Sequence, residues 1–123
     1  MEFTPETAPG RKLIQAYGDG GFRIEGERVA GSILLFPERV LPLPVAGFAD
    51  ITIETLAAVT GAPVDILVIG CGPRQRAADP GLRAGLRATG IALECMDTGA
   101  ACRTYNVLVS ESRRVAAALI AVD

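Results

Sequence analysis

The sequence predicts an α/β domain with a β-rich first half and a β-α-β-α-β second half. Three observations carry that prediction. Val64–Ile69 is an almost unbroken apolar run ending at Gly70, the pattern of a strand buried on both faces. Asp79-Pro80 opens a segment with helical spacing, a capping residue followed by the residue best suited to a first helical turn. Before Thr52 the apolar residues alternate or run between glycines and prolines, and after it they recur at helical intervals.

In order along the chain, residues 1–11 are polar and contain proline, so a loose N-terminal arm is expected, with one α/β domain over 12–123. Lys12–Tyr17 alternates as a strand does. Gly18–Gly21 is a turn cluster, because glycine accepts positive φ without strain. Phe22–Ile24 and Arg28–Phe36 read as strands joined at Gly26, and Pro37 ends the second. Val40–Val45 carries Pro42 and Pro44, which restricts it to a sheet edge or an extended segment. Thr52 is an N-cap candidate for a helix whose face holds Ile53, Leu56, Ala57 and Thr60, with Gly61 just past its end.

After the central strand, Leu82 and Leu86 share one face of the helix that starts at Asp79, and Arg83 and Arg87 share another. Gly90 closes it. Ile91–Met96 is the next strand, and Asp97-Thr98 caps a helix reaching Ser112. Ala101, Tyr105, Leu108 and Val109 form its expected inner side, with Arg103, Asn106 and Ser110 opposite. Val115–Val122 is the last strand.

Composition narrows the function. The 123 residues have 50% hydrophobic and 21% charged side chains and a formal net charge of −2, with no basic patch for nucleic acid. Tryptophan is absent and no aromatic-basic stripe is present for stacking single strands. No apolar run approaches the about 18 residues of a membrane helix. Cys71, Cys95 and Cys102 form no CxxC pair and no secretory leader precedes them, so free thiols in a reducing cytoplasm are expected. The chain has no histidine, which rules out a Ser-His-Asp triad and weakens zinc binding. No metal, cofactor or catalytic set is expected.

Two strand exits stand out. The first is Gly70-Cys71-Gly72-Pro73-Arg74-Gln75, at the sheet edge where open α/β folds bind ligands, with Arg74 and Arg76 available to an anion. A dinucleotide site fits poorly there. Gln75 replaces the third glycine, Pro73 removes an N–H donor, and the helix begins only at Asp79, although Glu94 lies about where a ribose acid would. Against binding stands a tight strand exit that needs small residues. The second exit is Asp97-Thr98, followed by Arg103, Thr104, Tyr105 and Asn106. Helix capping and core packing explain part of it. Arg103 is open to two readings, a structural pair with Asp97 or a planar fork for a carboxylate or phosphate. A Cys71, Cys95 or Cys102 nucleophile lacks a base, so inert buried thiols are the better reading.

The same segments carry a resemblance. VDILVIGCGPRQ, followed by GIALECMDTGAACRTYNVLVSESRRVAAALI, resembles the uncharacterised-domain family of the Mth-like superfamily. That family includes mitochondrial complex I assembly factor three and the adipogenesis-associated domain protein. The specific elements are the G-x-G-x-x-Q loop and MDT-x-A-A-x-RTYN. The resemblance implies a three-layer β/α domain around a central mixed sheet flanked by helices. Its pattern points to Gly70, Gly72, Gln75, Asp97, Thr98, Arg103, Thr104, Tyr105 and Asn106 as ligand- or partner-binding residues. It also implies a bacterial, non-enzymatic binding or assembly factor whose partner is a protein, by analogy part of a membrane-associated complex. The alternative is a small-molecule or anion-binding protein, with or without enzymatic activity, that uses the Gly70–Gln75 loop and the Asp97–Asn106 segment.

Overall fold

The computed structural model describes residues 11–123, so the expected N-terminal arm lies, but for Arg11, outside the described residues. The elements are β1 (Ile14–Gly18), β2 (Gly21–Ile24), β3 (Glu27–Ala30), β4 (Ile33–Leu35), β5 (Val40–Pro42), α1 (Ala57–Thr60), β6 (Ile66–Gly70), α2 (Pro80–Ala88), β7 (Ala92–Met96), α3 (Thr98–Ser110) and β8 (Val115–Leu119). β1-β2-β3 is an antiparallel meander, and a second sheet has the order β5-β4-β8-β6-β7. In the second sheet β8-β6-β7 is parallel, while β4 and β5 run antiparallel, so the sheet is mixed.

Strand alternation divides the core between the two faces of the five-stranded sheet. Leu34, Leu67, Ile69, Leu93, Ala116 and Ala118 face α2 and the 51–59 segment, where Leu56, Val59, Leu82 and Leu86 close the layer. Ile33, Leu35, Val68, Val115, Ala117 and Leu119 face α3 and the meander, which contribute Tyr105, Val109, Ile14, Phe22 and Ile24. Each of these large apolar side chains stabilises the fold by roughly 1.5–3 kcal/mol when fully withdrawn from water. β8 is the middle strand, and all of Ala116, Ala117 and Ala118 are fully buried. Alanine there lets layers approach on both sides, as the run VAAAL suggests.

Two expected elements and one residue are placed differently. Arg28–Phe36 is two strands in two sheets, because Gly31 turns the chain at φ +82°. The segment after Thr52 winds as turns before a single helical turn at α1, and the Thr52 hydroxyl accepts from Thr55 N–H at 3.2 Å. Asn106, expected on the outer side of α3, is buried. Its side chain accepts from Ile14 N–H (2.9 Å) and donates to Ile14 C=O (2.8 Å). β1 needs a backbone partner on that side, and the amide supplies one at no cost in unpaired groups.

Candidate functional site

β6, β7 and β8 are parallel, so their C-terminal ends reach one sheet edge, with Gly70 level with Met96 and Leu119. Both predicted strand exits leave there. Thr98 ties them together. Its hydroxyl donates to Ile120 C=O (2.7 Å) and accepts from Gly72 N–H (3.0 Å), while its own N–H donates to Gly72 C=O (2.9 Å). Cys71 N–H donates to Met96 C=O (2.8 Å) and Ile120 N–H to Gly70 C=O (3.0 Å). A Cβ on Gly70 would sit 3.0 Å from Thr98 Cα and 3.1 Å from Leu119 Cδ2, so the approach of these backbones requires glycine. Gly72 takes φ +106°, in the region that favours glycine.

Asp97 caps α3, its carboxylate accepting from Ala100 N–H at 2.9 Å. The side of Asp97 turned to solvent lines a shallow cleft of about 390 Å³ with Tyr17, Gly72, Pro73, Gly99 and Val122. Gly99 makes room for Tyr17: a Cβ there would fall 2.3 Å from the phenol oxygen. Sequence reasoning missed Tyr17 as a cleft residue, along with the C-terminal residues Ala121, Val122 and Asp123. Tyr17 lies one residue before the end of β1, beside a glycine turn, and only the packing of the meander against α3 brings it to the strand exits.

The other predicted residues disperse. Gln75, Arg74 and Arg76 are exposed on the loop after Gly72, where Arg76 lies over the Phe48 ring at 5.1 Å. Arg103 is exposed on α3; among the described residues it makes no ion pair with Asp97, and it is not among the residues that line the cleft. Thr104 Oγ1 donates to Met96 Sδ at 3.3 Å. Tyr105 is buried and donates its hydroxyl to Lys12 C=O at 3.1 Å. Asn106 holds β1, as described above. The cleft itself is lined by Asp97 and Asp123, with Arg74 and Arg76 exposed on the adjoining loop.

The Cys95 and Cys102 thiols are chemically quiet. Burial pushes the Cys95 thiol up to about 11, with Cys71 beside it adding to the rise and Arg83 opposing it. Burial pushes Cys102 up to about 12, Asp97 reinforcing the shift and Arg103 acting against it. Both stay protonated at neutral pH, the reverse of what a nucleophile needs. Among the described residues no cluster of three or more cysteine, aspartate or glutamate side chains is placed to hold a metal ion. No helix among them is long and apolar enough to cross a membrane.

The family described as a protein of unknown function, DUF498/DUF598, matches residues 14–120, which takes in the meander, the mixed sheet and both strand exits. The chain belongs to this family. Among relatives, NADH dehydrogenase (ubiquinone) 1 alpha subcomplex assembly factor 3 of Xenopus tropicalis is 39% identical over 110 residues, covering 88% of this chain and 60% of that protein. The chain thus spans about 60% of the length of this relative. An uncharacterised protein of Rhodobacter capsulatus is 42% identical over 107 residues, covering 87% of this chain and 82% of its own. A solution structure from Bordetella pertussis, described as a Mth938-like domain, superposes with a TM-score of 0.81 at 32% identity, covering 98% of this chain and 92% of that one. The family thus combines relatives named as assembly factors with members of no stated role, on one α/β fold.

Proposed function

We propose that this protein is a non-enzymatic binding or assembly factor that holds a protein partner during construction of a membrane respiratory complex. The observation that carries the reading is the extent of the likeness to a relative with that name: it runs through 88% of this chain, the folded domain itself. The chemistry agrees. Thr98, Tyr105 and Asn106 spend their polar atoms on the protein's own backbone, and the Cys95 and Cys102 thiols are held neutral. Residues of this kind build a rigid framework better than they run a reaction.

The test is genetic. Deleting the gene in the organism that encodes it is expected to lower the amount of intact NADH dehydrogenase complex on native gels and to raise subassemblies. Plasmid-borne wild type restores the complex. Normal complex levels in the deletion strain would defeat the reading.

A further inference from the structure

β7 forms one outer edge of the five-stranded sheet. Ala92 N–H donates to Asp65 C=O (2.9 Å) and Met96 C=O accepts from Cys71 N–H (2.8 Å), so the even-numbered residues of β7 face β6. By alternation Leu93 and Cys95 turn their N–H and C=O groups away from the sheet. The structure marks the first of these. Arg83, on α2, donates Nη1 to Leu93 C=O at 3.0 Å, a guanidinium N–H standing where the N–H of an added strand would come. Beside it is a cleft of about 390 Å³ lined by Arg83, Arg87, Gly90, Ile91, Ala92 and Leu93. Arg87 is exposed, one helical turn beyond Arg83, with no acidic partner among the described residues.

We propose that β7 receives an extended, acidic segment of the partner protein as an added strand. The inference rests on the partner-binding reading above. The added strand bonds to Leu93 and Cys95, and Arg83 swings from Leu93 C=O to a carboxylate of the segment, with Arg87 flanking it. Main-chain bonds give such a contact affinity, and alternate side chains give it specificity. Charge selects the occupant. On the α2 side of the edge the protein shows two arginines. On the α3 side it shows exposed Glu94. A fitting segment is therefore acidic at alternate positions and uncharged or basic between them. A second copy of this chain brings no acidic residues to Arg83 and Arg87 from β7 itself, and one of its registers is opposed by charge. With Leu93 opposite Cys95 in an antiparallel pair, Glu94 would face Glu94, and like charges directly opposed are destabilising.

The probe is a blocked seven-residue peptide alternating glutamate with valine, titrated into the full isotope-labelled chain and followed by amide NMR. Leu93 and Cys95 amides are expected to shift and to exchange more slowly with solvent. Arg87→Glu is expected to weaken binding at least tenfold with an unchanged thermal midpoint. Arg113→Glu, an exposed charge reversal elsewhere, leaves binding intact. No binding overturns the proposal. So do equal binding of a lysine-for-glutamate peptide, shifts confined to other amides, and concentration-dependent self-association that protects the same two amides. In the deletion strain, full complementation by Arg83→Ala/Arg87→Glu overturns the edge-strand contact while leaving the assembly reading intact. Absence of any assembly defect in that strain removes the reading itself.

Discussion

Thr98 does three jobs with one side chain and one amide, closing the exits of β6, β7 and β8 into a unit. Its hydroxyl is fully buried, so removing it strands a Gly72 N–H and an Ile120 C=O away from water. Thr98→Val should therefore lower stability by about 1–3 kcal/mol, the range for a buried polar group left unpaired. Thr98→Ser keeps the hydroxyl and should lose clearly less. Urea denaturation of the two variants beside wild type measures the difference, and equal losses would mean that the methyl group matters instead. Gly70→Ala tests the same junction from the other strand. Its new methyl meets Thr98 backbone at 3.0 Å, and overpacking of this kind costs about 1–3 kcal/mol. Calorimetry should show a lower melting temperature than wild type.

At the scale of elements, Asn106 fastens the meander to α3 by imitating a neighbouring strand at Ile14. Asn106→Leu should leave α3 intact while destabilising the protein by about 1–3 kcal/mol. Hydrogen exchange should quicken first at β1 and β2, and uniform acceleration across both sheets would contradict this local role. The same residue shows what a sequence hides. Helical spacing puts Asn106 one position beyond inward-facing Tyr105, and its polarity argued for solvent. The reason for burying it lies at Ile14, ninety-two residues away in sequence. The starts of α2 and α3 were legible because Asp79 and Asp97 cap them locally, each accepting from nearby N–H groups. The paired strand exits were legible too, since parallel strands must leave at one edge. Arg28–Phe36 was not, because its apolar pattern continues through the point where Gly31 sends it to the other sheet. Arg83 and Arg87 were readable as one helix face. That one of them guards a sheet edge depends on where α2 packs.

Across the whole molecule, two thiols, Cys102 buried and Cys95 half-buried, tie stability to pH. Cys95 and Cys102 ionise near 11 and 12 in the fold, whereas thiols of an unfolded chain ionise near about 8.5. Burial also raises Tyr105. Below the unfolded value both states hold their protons and this stability is fully present. Above it the unfolded chain releases protons that the fold retains, so stability falls as pH rises. Urea midpoints are expected to hold steady from pH 7 to 8 and to drop from pH 9 to 10.5. Cys102→Ala should flatten that drop. An undiminished drop in the variant would assign it to other groups.

The middle position of β8 has a consequence for biosynthesis. Among the described elements it is translated last, yet it joins β4 on one side to β6 on the other. Until residue 119 has cleared the ribosome, β5-β4 and β6-β7 are two separate ribbons with bare edges at β4 and β6. A nascent chain stalled with residue 114 at the tunnel exit should be cut readily by protease. One stalled far enough downstream to release Leu119 should resist. The domain is closed by its final strand, which leaves the β4–β6 gap, for the length of synthesis, as a place where a chaperone or a stray strand can enter.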